Sequence, residues 1–157
     1  KLIIENTKNK KVLSINDFFI SYRKTKLKKD EFIHSIRIPL YKNNIFKAYK
    51  ISKRFDDDIS SLCGSFNLEI INNKIKNIFI AFGGMAETPK RAKNCEKILK
   101  NKNLSIENFL NAGDNLKKDF SPINDMRATK NYRMEVAKNL LIKCFYEIKT
   151  KKLLRVN

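Results

Sequence analysis

The 157 residues predict an α+β fold, a two-layer sandwich in which one antiparallel sheet carries a layer of about three helices. Three observations lead there. Period-2 alternation fills much of the first half, apolar residues recur every four positions near the end, and strands come first with helices after them. Residues 2–4 and 12–15 are short apolar runs around polar residues 5–10, the pattern of a hairpin. A short helix is expected next, with Asn16 as N-cap, Phe18, Phe19 and Tyr22 inside it, and the basic Tyr22-Arg23-Lys24-Thr25 at its end. Phe32, His34, Ile36 and Ile38 then alternate with Ile33, Ser35 and Arg37 in a strand that Pro39 stops.

Residues 45–52 alternate again, placing Phe46, Ala48, Lys50 and Ser52 on one face and Ile45, Lys47, Tyr49 and Ile51 on the other. Lys50 thus sits inside a strand beside small or apolar neighbours. Residues 61–71 and 75–82 form a strand pair joined at Asn72-Asn73, whose side chains tolerate the positive φ of a two-residue turn. Past Gly83-Gly84, helices are expected over residues 89–100 with Pro89 near the first turn, over 105–118 capped by Ser105, and over 129–149. In the last of these Tyr132, Val136, Leu140, Cys144 and Ile148, flanked by Ala137, Leu141 and Phe145, make a stripe wide enough to cover a sheet.

Composition narrows the function. Thirty-four basic against 16 acidic residues give a net charge of +18, which raises nucleic acid as a partner. The residue types argue against it: 27 of the basic residues are Lys and 7 are Arg, alongside 19 Asn and 20 Ile, the drift expected from A/T-rich codons. A phosphate- or base-reading surface favours Arg, whose planar fork grips two acceptors. The longest apolar run, residues 78–82, is far short of the ~20 residues of a membrane span. Cys63, Cys95 and Cys144 are odd in number and widely spaced, so no disulfide framework or CxxC motif forms and a cytoplasmic location is expected. The chain opens on Lys1 in a strand-like Leu2-Ile3-Ile4, so it reads as a piece of something longer.

Local motifs are weak one by one. Asp56-Asp57-Asp58 suits a solvated loop better than a cation site, since no Gly and Glu follow at EF-hand spacing. Gly83-Gly84-Met85 reads as a strand-to-helix turn, there being no GxGxxG or GKS/T. His34 reads as a core or sheet-face histidine, and Asp125 with Arg127 as a cap and a surface pair.

Taken in order, the strings say more. Phe18-Phe19-Ile20-Ser21-Tyr22-Arg23-Lys24-Thr25, Asp30-Glu31-Phe32-Ile33 through Ile36-Arg37-Ile38-Pro39, and Ala48-Tyr49-Lys50-Ile51-Ser52-Lys53-Arg54 with Asp56-Asp57-Asp58-Ile59 come first. Cys63-Gly64, Ala81-Phe82-Gly83-Gly84-Met85-Ala86 with Thr88-Pro89-Lys90-Arg91-Ala92, and Asp125-Met126-Arg127-Ala128 with Tyr132-Arg133 follow. The series resembles the C-terminal part of the flavin subunit of xanthine dehydrogenase, the small subunit in bacteria, over nearly the whole chain. It implies that residues 1–22 finish a preceding FAD-binding domain and that residues 23–157 form the α+β domain that closes over the flavin.

The resemblance also implies a site. The strand matching Phe32 and Ile33 lies against FAD, and the Lys matching Lys50 reaches the isoalloxazine, where a cation favours the negative charge of reduced flavin. The loop matching residues 51–61 lies beside the flavin and, in mammalian members, moves when the acceptor changes between NAD and oxygen. Arg54 and Asp57 match positions whose charges face the flavin, and Phe55 stands where some members carry a second Arg. No match exists for the ligands of the 2Fe-2S clusters, the FAD pyrophosphate loop or the molybdenum cofactor site. The implied parent is a molybdenum hydroxylase in which purine is oxidised on a molybdenum-cofactor-binding large subunit and electrons pass through iron–sulfur centres and FAD to NAD. A flavin subunit of the carbon monoxide dehydrogenase or aldehyde oxidase type is the alternative within the class, and a basic nucleic-acid-binding domain the alternative outside it.

Overall fold

A computed structural model describes residues 1–54 and 57–154. The chain divides into two units, Lys1–Lys42 and Asn43–Asn157. In the first, β1 (Leu2–Glu5) is paired on one side with β2 (Lys10–Leu13) and on the other with β5 (Phe32–Ile36), all antiparallel, and β3 (Phe19–Ser21) pairs with β4 (Lys24–Thr25). Its core is Leu2, Ile4 and Phe18, with Leu13 and Leu27 packed against them.

The first unit holds one departure from the expected elements. In place of a helix starting at Asn16 there is a 3-10 turn, Ile15–Asp17, capped by the Ser14 side chain, and then the β3–β4 hairpin. Phe19 and Ile20 favour an extended strand, and Arg23 turns the chain back at φ 55°. A lone helical turn is too short to compete.

The second unit is the expected sandwich. Its sheet runs β6 (Asn44–Ile51), β7 (Leu62–Ile71), β8 (Lys74–Gly83) and β9 (Lys90–Arg91) in spatial order, each antiparallel to the next. Asn72 and Asn73 both have positive φ, 49° and 59°, as the two-residue turn requires. Alternation along β7 and β8 sends Leu62, Phe66, Leu68, Ile78, Ile80 and Phe82 into the core. There they meet Leu99, Phe109, Leu116, Leu140, Leu141 and Cys144 from the helical layer. That layer is α1 (Lys93–Leu99), α2 (Ile106–Asp114), capped by Ser105 as expected, and α3 (Lys130–Thr150), capped by the Thr129 side chain rather than by Asp125, whose carboxylate accepts instead from the Arg127 and Ala128 amides in the turn before the helix.

The helix expected from Pro89 starts later. Lys90 and Arg91 add a short strand opposite Phe82 and Ala81, and α1 begins only at Lys93. Ala92 offers no side-chain cap; the Asp119 carboxylate accepts instead from the amides of Asn94 and Cys95 at 3.0–3.1 Å. Among the described residues no helix is long and apolar enough to cross a membrane.

Candidate functional site

The helices cover one face of the second unit's sheet; the other carries exposed and half-buried side chains. Along β6, Phe46, Ala48 and Lys50 are exposed while Lys47, Tyr49 and Ile51 turn toward the helical side. Register places Lys50 opposite Cys63 and Cys63 opposite Gly83, and in the next row Ala48 opposite Ser65 and Ser65 opposite Ala81. Directly opposed residues stand about 5 Å apart, so these two rows make a flat shelf of small side chains with Lys50 at its edge. A Cβ placed on Gly83 would meet nothing within 4 Å, so space above that end is free. The third row carries Phe46 and Phe79, 64% and 47% exposed, and Arg91 stacks over Phe79 while pairing with Glu96.

Beside the shelf runs the loop from Ser52 to Ser61, closed at its base where the Ser61 amide donates to the Ile51 carbonyl at 2.7 Å. Phe55 and Asp56 lie outside the described residues. The Asp58 carboxylate turns back into the loop, accepting from the Arg54 amide at 3.0 Å, and that bond with the Arg54 charge holds its carboxyl below the usual range. Asp57 is exposed, with φ 49°. Arg54 is exposed as well, so these two charges face outward from the loop while Asp58 secures it.

The loop is tied to the turn before α3. Lys53 Nζ donates to the Met126 carbonyl at 2.8 Å and Ser61 Oγ to the Arg127 carbonyl at 3.3 Å. Asp125 accepts from the amides of Arg127 and Ala128 at 2.8 and 3.0 Å. Burial works against its charge, but those amides and the Arg133 guanidinium outweigh it and keep the carboxyl below its ordinary value. A cleft of about 510 Å³ lies here, lined among others by Ser52, Lys53, Ser61, Asp125, Arg127 and Tyr132.

Phe32 and Ile33 belong to the first unit, on β5, where they pair with Glu5 and Ile4 and are 53% and 41% exposed. Lys50, Arg54 and Asp57 belong to the second. His34 is a sheet-face histidine, exposed, with Nδ1 3.1 Å from Ser35 Oγ. Gly83-Gly84 makes a tight turn, though it leads into β9 rather than straight into a helix: Gly84 has φ +80°, and a Cβ there would lie 2.5 Å from the Ser61 carbonyl. The feature that sequence reasoning missed is Arg133, buried at 3% exposure. Its signal was its place four residues before Ala137, on the apolar face of α3.

Residues 47–148 match the family model of the CO dehydrogenase flavoprotein C-terminal domain. The chain belongs to that family. The matched stretch includes Lys50, Arg54, Asp57 and Arg133, while Phe32 and Ile33 precede it. A stretch of 93 residues, 57% of this chain, is 37% identical to xanthine dehydrogenase of Emericella nidulans and spans 7% of that protein. Over 149 residues, 94% of this chain, identity is 25% with the xanthine dehydrogenase FAD-binding subunit of Escherichia coli O157:H7, of which the match spans 51%. The chain thus spans about half the length of that subunit. Carbon monoxide dehydrogenase from Hydrogenophaga pseudoflava, in a form lacking the Mo-pyranopterin moiety of the molybdenum cofactor, shares the fold at TM-score 0.82 and 20% identity. That match covers 90% of this chain and 49% of the other.

Proposed function

We propose that this chain forms one wall of the FAD site in the flavin subunit of a xanthine-dehydrogenase-like molybdenum hydroxylase working in the cytoplasm. The observation that carries the reading is Lys50 at the edge of a flat, open shelf of small side chains within the family-matched segment. The residues fit a planar ring: Ala48, Cys63, Ser65, Ala81 and Gly83 leave a surface without protrusions, and the space above Gly83 is free. When bound, FAD would take electrons from purine oxidation and hand a hydride to NAD.

The chain's own residues then have separate tasks. Lys50 brings a cation to the ring and favours negative charge on it, most strongly where closure of the site excludes water. Phe32 and Ile33 offer apolar contact from a strand of the first unit, where residues 1–22 finish the preceding FAD-binding domain. Arg54 and Asp57 shape the potential where NAD approaches. The 2Fe-2S clusters and the molybdenum cofactor belong to other parts of the complex, the latter to a large partner subunit. A flavin subunit of the carbon monoxide dehydrogenase type is the second reading, favoured by the family of residues 47–148.

Lys50→Met in the full subunit tests the site. The flavin should become harder to reduce, its two-electron midpoint falling by roughly 30 mV for each 1.4 kcal/mol of interaction removed. A midpoint equal to the parent's would take Lys50 away from the ring.

A further inference from the structure

We infer that Arg133 is a positioning residue for the acceptor side of this site, fixing the loop that carries Arg54 and Asp57 by gripping three chain segments at once. The inference rests on the reading of that loop as flavin-adjacent. The Arg133 guanidinium donates through Nη1 to the carbonyls of Ser61 and of Gly84, the latter at 2.6 Å, and through Nη2 to Asp125 Oδ1 at 2.7 Å. Ser61 ends the loop just before β7, Gly84 follows the last residue of β8, and Asp125 organises the turn that precedes α3. Ser61 and Gly84 lie within two residues of Cys63 and Gly83, the far end of the shelf row that begins at Lys50.

Stability alone does not call for an arginine at this place. The same helix face is filled by Ala137, Leu140 and Leu141, and a buried ion pair replaced whole by apolar side chains often loses no stability. Arg133 even leaves its Nε buried with no partner among the described residues, an unfavourable arrangement for packing but one that turns both terminal nitrogens onto their three acceptors. What a planar guanidinium supplies and an apolar side chain cannot is a fixed spacing between those acceptors.

The surroundings are built to the same end. A Cβ on Gly84 would stand 2.5 Å from the Ser61 carbonyl and 3.0 Å from Arg133 Nη1, so only glycine lets the two strands' ends close around the guanidinium. Lys53 ties the loop's opening to the Met126 carbonyl, and Ser61 Oγ ties its end to the Arg127 carbonyl. Both ends of the loop are thereby fastened to residues 125–133, and of these links Arg133 is the one that also reaches the end of β8, at the Gly84 carbonyl.

The test uses the assembled enzyme carrying Arg133→Met, Arg133→Lys or the exposed-side variant Lys53→Met. Three quantities are read: amide exchange of the peptide containing Ser61, the ratio of NAD to oxygen turnover, and the rate at which purine reduces the upstream centres. Arg133→Met should speed exchange at Ser61 by about tenfold or more, the loss of a charge-assisted hydrogen bond, and shift the acceptor ratio several-fold with upstream reduction unchanged. Arg133→Lys should restore part of both effects, and Lys53→Met should move both in the same direction by less. If Arg133→Met does not assemble, the other two variants decide. A lowered melting temperature with parental exchange and parental ratio would make Arg133 an ordinary structural arginine. Faster exchange with an unmoved ratio also overturns the inference, and Asp57→Ala then separates the causes. A ratio shifted by Asp57→Ala leaves the flavin-wall reading standing without the clamp; a ratio unmoved there too removes the loop from the flavin.

Discussion

Glu147 shows how α3 spends its charged residues. It lies on the face turned to the sheet, 3% exposed, where it accepts from the Tyr49 hydroxyl at 3.0 Å, pairs with Lys47 at 3.1 Å and receives the Leu154 amide at 3.1 Å. Burial pushes its carboxyl up, but the Leu154 amide, Lys47 and Tyr49 pull harder and hold it below the ordinary glutamate value. Cys144, beside it, is pushed up to about 12 by burial, so it stays a neutral thiol. A carboxyl whose folded value is depressed contributes stability above its unfolded value and loses that contribution as pH falls through the folded one. Glu147→Gln should therefore lower stability at pH 7 by about 1–3 kcal/mol while flattening the loss as pH falls below the ordinary glutamate range. Urea midpoints along that fall in pH check it, and parallel acid limbs for variant and parent would show that Glu147 does not carry the titration. Neither Glu147 nor Arg133 was legible as a buried charge, because the period of α3 marks which positions face inward and not which partners wait there. Lys50 was legible, since strand alternation alone places it on the face away from Tyr49 and Ile51.

Elements were readable where local signals agreed and failed where a distant partner decided. The β7–β8 hairpin needed only Asn72-Asn73 and two alternating runs, all within one stretch of chain. The start of α1 depended on Asp119, 25 positions beyond Asn94, which no local window contains. Lys90 and Arg91, given a proline just before them, look like a first helical turn, yet the open edge of β8 takes them as strand: Ala92 donates to the Ile80 carbonyl, and Glu96 accepts the Ile80 amide at 2.8 Å. Pairing that edge satisfies buried backbone groups that one extra helical turn would leave exposed to nothing. Asp119→Ala should accordingly cost about 2 kcal/mol, the upper end for a helix cap, because the carboxylate is buried and serves two amides. A shift in urea midpoint equivalent to less than about 0.5 kcal/mol, the size of an ordinary surface substitution, would mean that water caps α1 as well as Asp119 does.

At the scale of the whole chain, the apolar residues fall into two cores that differ greatly in size. The second unit buries Leu62, Phe66, Phe82, Phe109, Leu141 and their neighbours between sheet and helices, whereas the first packs a small cluster of Leu2, Ile4 and Phe18 with two partners at the margin. Residues 43–157 should fold alone with a single cooperative unfolding transition; residues 1–42, near the length below which chains usually need a staple or a partner, should not. Circular dichroism of the two pieces checks this, and a structured, cooperatively melting 1–42 peptide would overturn it. The same accounting bears on flavin. The shelf of residues 48–83 presents one flat face, and a planar ligand held on one face keeps its other side in water, forfeiting much of the apolar burial that retains cofactors. Residues 43–157, though folded, should come off gel filtration colourless in the presence of FAD, and so should the 157-residue chain. Yellow protein from the 157-residue chain alone would mean that the site is more complete than a single wall.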